Sequence, residues 1–421
     1  MNRAPRQQYL AQKKALLVLL YVLFRSNIPH DAVILRSFGF QFDPSCNFKV
    51  ILKENETNVS KFGVHIFFKN ERKQSEDLPG TINIFESKKI EGDPVHSLSI
   101  SMAEGGFEAR GLFKEKPLHI KGPESACSSL LSCLIECKEA NNQGETFLLW
   151  LMRFFLSKLP TDLVMGAGIN KDYGAKDWQE LVSALNDSFY QGNKEDERQV
   201  HHYVGRELFT SPSIYRKPFN VYEKLAHELY EFEEAKSFND PDSTLYKCVN
   251  FLSTHPKVEV ITYNYDTNLE YLCKKRNLLY CSTYEDSCFS IKESSINIYH
   301  VHGLLPYGKY NEARYTQSLV FNESDYYDLY NSPYSWNIAK QLHDFKFNVC
   351  FFLGISLTDP DMKRLLELGR NQLKFNFIFA RKEKGYDESV FEAIASYFFS
   401  FDLIVVWVEE YSEIGKWLEL L

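Results

Sequence analysis

The sequence contains no C-x-x-C pair. Its nine cysteines are an odd, irregularly spaced set, and scattered buried thiols of a reducing compartment are the expectation. Cys127, Cys133 and Cys137 lie close together in sequence, but a zinc site there would need a remote fourth ligand. An excess of positive charge is also lacking. Lys and Arg number 48 against 56 Asp and Glu, a net charge of -8, which argues against a chain broadly basic for nucleic acid, so no direct nucleic-acid binding is expected. No apolar run is long enough to span a bilayer. Ala15–Phe24 (ALLVLLYVLF) follows Lys13 and Lys14 as in a signal peptide, yet RSNIPHDA continues the chain without a small-x-small cleavage site. A buried helix, no membrane contact and a cytoplasmic location are expected. Internal repeats and low-complexity segments are absent.

What is present is apolar and aromatic mass. The 421 residues are 44% hydrophobic and 15% aromatic, with 33 Phe and 25 Tyr, enough for two or three domains with sizeable cores. Residues 7–26 read as one helix, apolar almost all round in its second half, so it should be enclosed by protein. From 32 to 121, short runs such as NFKVILKE, KFGVHIFFK, GTINIFES and HSLSISMA alternate with period 2 between Gly, Pro, Asn and Asp. That pattern predicts an antiparallel β module, with Glu104-Gly105-Gly106 as a turn and no catalytic constellation. Residues 124–140 and 144–159 read as helices, the second strongly apolar (FLLWLMRFFLSKL). The apolar helices at 15–24 and 146–157, with the aromatic wealth, predict a homo-oligomer.

From 160 onward, strands alternate with helices. Leu163–Met165, Val258–Tyr263, Ile296–Val301, Ser318–Phe321, Val349–Leu353, Phe375–Phe379 and Leu403–Val408 are the strand candidates. Alternation of this kind predicts an α/β fold, a doubly wound Rossmann-like parallel sheet. The organisation expected is an N-terminal helix plus β module over 1–125 for assembly or partner contact, a helical connector over 126–160, and an α/β domain over 161–421 with a helical insert at about 186–256.

The chemistry concentrates where strands end, since ligands of open parallel sheets bind at the carboxyl ends. Leu163-Val164-Met165 runs into Gly166-Ala167-Gly168, then Asn170, Gly174 and a helix-like stretch from Lys176. Strand, glycine turn and helix offer backbone N–H groups and a helix N-terminus to a phosphate, although Gly-Ala-Gly is not a full G-x-G-x-x-G and also suits a tight turn without ligand. After Val258–Tyr263 come Asn264-Tyr265-Asp266. The amide offers donor and acceptor, while Asp266 equally suits a helix N-cap. After Ile296–Val301 comes His302-Gly303, with His300 expected on the same side. An imidazole there can take a proton from a sugar hydroxyl or a water; as metal ligands the two histidines lack a third partner near in sequence. After Val349–Leu353 come Gly354, Ser356 and TDPD, where Thr358 or Asp359 can cap a helix that Pro360 opens.

The ordered series GAG-x-N, NYD, HG and GxSLxDPD, each at a strand end, resembles the sirtuin family, and specifically its bacterial sirtuin-like branch found in anti-phage defence proteins. The resemblance covers about residues 160–380. It implies an NAD+ hydrolase that cleaves the nicotinamide–ribose bond and acts as an abortive-infection effector. By position, it implies that Gly166, Ala167 and Gly168 line the pyrophosphate and that Asn170 lies near the phosphates. Asn264 would hold the water or ribose face, Asp266 would bind the nicotinamide carboxamide and His302 would be the general base. Gly354 and Ser356 would hold the distal phosphates and ribose. The family's protein deacylases carry a zinc ribbon with two C-x-x-C pairs. The chain has none, so no zinc is expected and the acyl-lysine cleft is in doubt. Ala175-Lys176 also replaces the family's hydrophobe-Pro. The N-terminal extension resembles that of sirtuin-like partners of a HerA-like hexameric ATPase. The alternatives are a non-catalytic sensor of NAD or ADP-ribose that gates a partner, and an NAD-dependent deacylase or ADP-ribosyl transferase.

Overall fold

The computed structural model describes residues 144–189, 221–230, 240–285 and 295–421, except 322, 333–334 and 372–373. It also describes seven strands between 35 and 122 and the single helical residues 13, 17, 20, 21, 24, 195 and 198. The predicted helix at 124–140, the Cys127, Cys133 and Cys137 group, the turn residues Glu104 and Gly105, and most of 190–220 lie outside the described residues. The chain divides into two compact units: Met1–Leu159 with Asn371–Phe375 and Tyr386–Val405, and Pro160–Arg370 with Asn376–Gly385 and Val406–Leu421.

In the first unit, seven strands pair antiparallel in chain order. They are β1 (Leu35–Ser37), β2 (Lys49–Leu52), β3 (Val64–Phe68), β4 (Ile82–Glu86), β5 (Ser97–Ala103), β6 (Gly106–Phe113) and β7 (Lys116–Gly122). Each predicted alternating run contains one strand; β7 was not singled out in advance. The register closes the β5–β6 pair at Ala103 opposite Gly106. Helix α1 (Phe147–Lys158) starts at Thr146, whose hydroxyl accepts from Leu149 N at 3.4 Å. Residues 13, 17, 20 and 24 recur at helical spacing and are all buried. Phe24 packs on Phe147 and Trp150, with ring centroids 5.3 and 5.9 Å apart. Lys13 is fully buried. It donates to the Lys374 carbonyl, lies 3.6 Å from Asp402 and sits 4.4 Å over the Phe375 ring, the compensation a buried ammonium requires.

Seven further strands, all in the second unit but for Leu403–Val405 of the last, form a parallel sheet. Its strands are β8 (Thr161–Met165), β9 (Glu259–Thr262), β10 (Tyr280–Thr283), β11 (Ile296–His300), β12 (Val349–Leu353), β13 (Asn376–Arg381) and β14 (Leu403–Val408), in the order β10-β11-β9-β8-β12-β13-β14. All five residues of β8, β11 and β12 are buried, as expected for strands covered on both faces. From β8 the chain steps to β9 on one side and later re-enters at β12 on the other. The carboxyl ends of β8 and β12 therefore flank the topological switch point, where doubly wound sheets place ligands.

One strand expectation is corrected and one strand was not foreseen. Ser318–Phe321 is not a strand. Its Leu319 and Phe321 instead join a cluster with Leu181, Leu185, Leu225, Tyr265 and Leu305, and an apolar run is the same signal in either setting. Conversely β10 (YCST) pairs with β11 at the sheet edge; short, polar and half-buried, it carries no hydrophobic signature. Among the described residues, no helix is long and apolar enough to cross a membrane.

Candidate functional site

The stretch between the glycine turn and the expected helix from Lys176 is itself helical. Ala167–Tyr173 form a 3₁₀ helix, and Gly174 closes it at φ 79°. Helix α2 (Trp178–Phe189) begins only at Trp178, two residues later than the sequence suggested. Asp177 and Glu180 explain the start. Asp177 Oδ1 accepts from Glu180 N, and Glu180 Oε2 from Asp177 N, each at 2.9 Å, a reciprocal capping box.

The two glycine turns of the switch point pack backbone to backbone. Gly166 N donates to the Leu353 carbonyl at 2.9 Å and Gly168 N to the Gly354 carbonyl at 3.0 Å. A Cβ on Gly166 would lie 2.6 Å from Gly354 O, and one on Gly168 2.8 Å from Gly354 Cα. The glycines thus serve turn-to-turn contact, and these two N–H groups are already engaged with carbonyls. Beyond Gly354, Ser356 Oγ bonds Thr358 Oγ1 at 3.0 Å on an exposed stretch. Asp359 caps α8 (Pro360–Leu368, which follows α3, Val221–Tyr230; α4, Thr244–Thr254; α5, Asn268–Lys275; α6, Glu323–Asn331; and α7, Trp336–Phe347). Its carboxylate accepts from Asp361 N and Met362 N, with Pro360 in the first turn.

At the end of β9, Asn264 Nδ2 donates to the Gly166 carbonyl at 3.2 Å. Asp266 serves two elements: Oδ1 accepts from Asn268 N at 2.9 Å, steadying the start of α5, and Oδ2 accepts from Asn170 Nδ2 at 3.0 Å. Burial pushes the Asp266 carboxyl up to about 6. Asn170, Asn264 and Asp266 are thereby brought together beneath the glycine turn, 96 residues apart in sequence for the Asn170–Asp266 pair.

The two histidines are not a pair. His300 faces α5: Nε2 lies 2.5 Å from Glu270 Oε1, and Nδ1 bonds the Asn264 carbonyl at 3.1 Å. Burial disfavours its cation, but the Glu270 carboxylate outweighs this and holds the imidazole above its usual range. Glu270 is buried too, and the His300 charge holds it below the usual carboxylate range. His302 lies beyond the end of β11 and turns to other partners. Its ring stands edge-on to Tyr263 and Tyr326, at 4.7 and 5.6 Å, and Nε2 is 3.5 Å from Asp359 Oδ2. Burial pulls His302 below the ordinary imidazole range despite Asp359 and Asp361, which leaves the ring neutral at pH 7. Gly303 (φ 85°) makes the turn that follows, since a Cβ there would meet Ser318 O at 2.3 Å.

A small cavity opens between these elements. It is lined by Met165, Asn170, Asn264, Asp266, Glu270 and His300, among others, with space for about one water molecule. Glu270 and His300 had no assigned role in the sequence reading; the pairing spans 30 residues and leaves no local pattern. At the opposite, amino ends of the strands, Asp162, Glu259 and Asp344 come together. Lys340 reaches Glu259 at 2.5 Å and Asp344 at 2.7 Å, and burial raises the Asp162 carboxyl well above its usual value. A cation is already supplied there by the lysine.

Residues 258–397 match the model of the SIR2-like domain. The matched segment holds β9, β11, β12 and the turns bearing Asn264, Asp266, His302, Gly354 and Ser356. SIR2-like domains use NAD+, and a parallel sheet with glycine turns at its switch point is consistent with that chemistry. No curated protein matches the chain.

Proposed function

We propose that the second unit is an NAD+ hydrolase releasing nicotinamide and ADP-ribose. The observation that carries this reading is the convergence of Asn170, Asn264 and Asp266 with the two glycine turns at the carboxyl ends of β8, β9 and β12. The match to a SIR2-like domain over 258–397 supports it.

The nicotinamide–ribose bond breaks through an oxocarbenium-like state. The site must hold the pyridinium, exclude bulk water and admit one nucleophile. Asp266 and Asn170 would take the carboxamide, as a joined acceptor and donor. Asn264, fixed by Gly166, would face the ribose. His302, neutral and enclosed by Tyr263 and Tyr326, would accept a proton from a ribose hydroxyl. The turns at Gly166-Ala167-Gly168 and Gly354–Ser356 would meet the phosphates. A nicotinamide ring needs more room than one water, so binding has to shift the side chains that line the cavity.

We place this activity in anti-phage defence, as an abortive-infection effector restrained by assembly or by a HerA-like ATPase; the ordered strand-end motifs support that placement. Nicotinamide release from NAD+ by purified protein, wild type beside His302→Ala, with and without such a partner, tests it. Release only in the presence of an acyl-lysine peptide would favour a deacylase. Tight binding of NAD+ without release would favour a sensor.

A further inference from the structure

Two residues that line the cavity beneath the glycine turn each carry a buried acceptor atom without a donor, Asn170 Oδ1 and Glu270 Oε2. Their residues are 3% and 6% exposed, and both line the cavity. Buried polar atoms are almost always satisfied, and one water offers two donors in a space that fits about one water. Asn264, the residue assigned to the ribose face, lines the same space.

Glu270 is held through one oxygen. Its Oε1 accepts from His300 Nε2 at 2.5 Å and from Ser282 Oγ at 2.8 Å. Those bonds fix the carboxylate plane and leave Oε2 for the cavity. His300 in turn bonds the Asn264 carbonyl at 3.1 Å, so acid, histidine and asparagine form one rigid set. Asp266, Tyr230, Cys273 and Tyr280 are the other titratable groups that sense the Glu270 charge. His302 does not line this cavity.

Resting on the hydrolase reading, we propose that Glu270 is the general base toward water: the cavity holds one water that donates to Asn170 Oδ1 and Glu270 Oε2, and Glu270 takes its proton during attack. The water oxygen bonds to ribose C1′ as an O–H bond breaks toward Glu270. The bond from C1′ to the nicotinamide nitrogen breaks, and its electron pair leaves with nicotinamide, now neutral. ADP-ribose remains, and Glu270 returns its proton to solvent. His302 keeps the ribose hydroxyl, so the two bases serve different protons.

Nicotinamide release by the full chain, with and without sodium azide, tests this. Azide is a nucleophile that needs no deprotonation. Glu270→Gln should lower kcat by about 100-fold or more, the usual weight of a general base, with KM within about threefold. In Glu270→Ala, azide should restore nicotinamide release and yield the ribosyl azide, seen by mass spectrometry. An E270Q enzyme near the wild-type kcat overturns the proposal. So does a loss that azide leaves unchanged, because it marks Glu270 as a structural partner of His300. If neither variant folds, as judged by thermal melting, Glu270→Asp decides: a shortened carboxylate must lower kcat while azide product still forms, and wild-type kcat overturns the proposal. A wild type that releases no nicotinamide overturns the hydrolase reading itself, a result distinct from an active wild type beside an active E270Q.

Discussion

Replacing Gly354 with alanine should separate the two turns that frame the switch point. Gly354 has φ +64°, and a Cβ there would lie 2.4 Å from Ile169 N and 2.7 Å from Gly168 C. Both neighbours are backbone, so no side chain can swing away. The left-handed conformation costs an L-residue about 1–2 kcal/mol, and overpacking adds about 1–3 kcal/mol. The expected loss is about 2–5 kcal/mol, large against the roughly 5–15 kcal/mol that holds a typical domain folded. Gly385 supplies the control: its φ is +90°, but nothing lies within 4 Å of its missing Cβ. Gly385→Ala should therefore cost only the conformational part, about 1–2 kcal/mol. Urea unfolding of the full chain, read by tryptophan fluorescence, measures both, and NAD+ turnover should fall in Gly354→Ala alone. Equal losses in the two variants would refute the reasoning, because the steric contact would then carry no energy.

Asp266→Asn should make stability less dependent on pH and should lower activity. A carboxyl raised from 3.8 to about 6 by burial binds its proton more tightly when folded, so wild-type stability falls as pH rises from about 4 to 6. The substitution removes up to about 3 kcal/mol of that penalty at pH 7, and pH-dependent melting should show a flattened profile while turnover is lost. The His300–Glu270 pair has its own window. The stability from His300 is fully present below its unfolded value near 6.5 and is lost as pH rises through its raised folded value. That from Glu270 is present above about 4.5 and is lost as pH falls through its lowered one. His300→Ala should abolish the alkaline loss in the same melts. The aromatic content of 15% leads to an expected homo-oligomer, but α1 is buried within its own chain and is not the contact; a monomer at micromolar concentration in light scattering would oppose it.

Much of this arrangement was legible in the sequence because parallel strands announce themselves as short apolar runs. β8, β12 and β14 fall where LVM, VCFFL and LIVVWV stand. The strand-end position of Asn264, Asp266, His302 and Gly354 followed from those runs. What could not be read was partnership across distance. Asn170 and Asp266 meet across 96 residues, and His300 finds Glu270 on a helix that no local pattern links to it. The alternation rule put His300 and His302 on one side, but β11 ends at His300, and the turn beyond frees His302 to face Tyr263 and Asp359. Ser318–Phe321 was misplaced for a related reason: burial in a helix-lined cluster and burial in a sheet demand the same side chains.

The most direct test is nicotinamide release from NAD+ by the purified chain, with Asn264→Ala measured beside wild type. Asn264 is fixed against Gly166, and removal of one positioned polar group from such a site typically slows turnover about 100- to 1,000-fold. Wild type should release nicotinamide and ADP-ribose in equal amounts, and the variant should be slower by that factor. No release in any condition, or undiminished release by Asn264→Ala, would contradict the account.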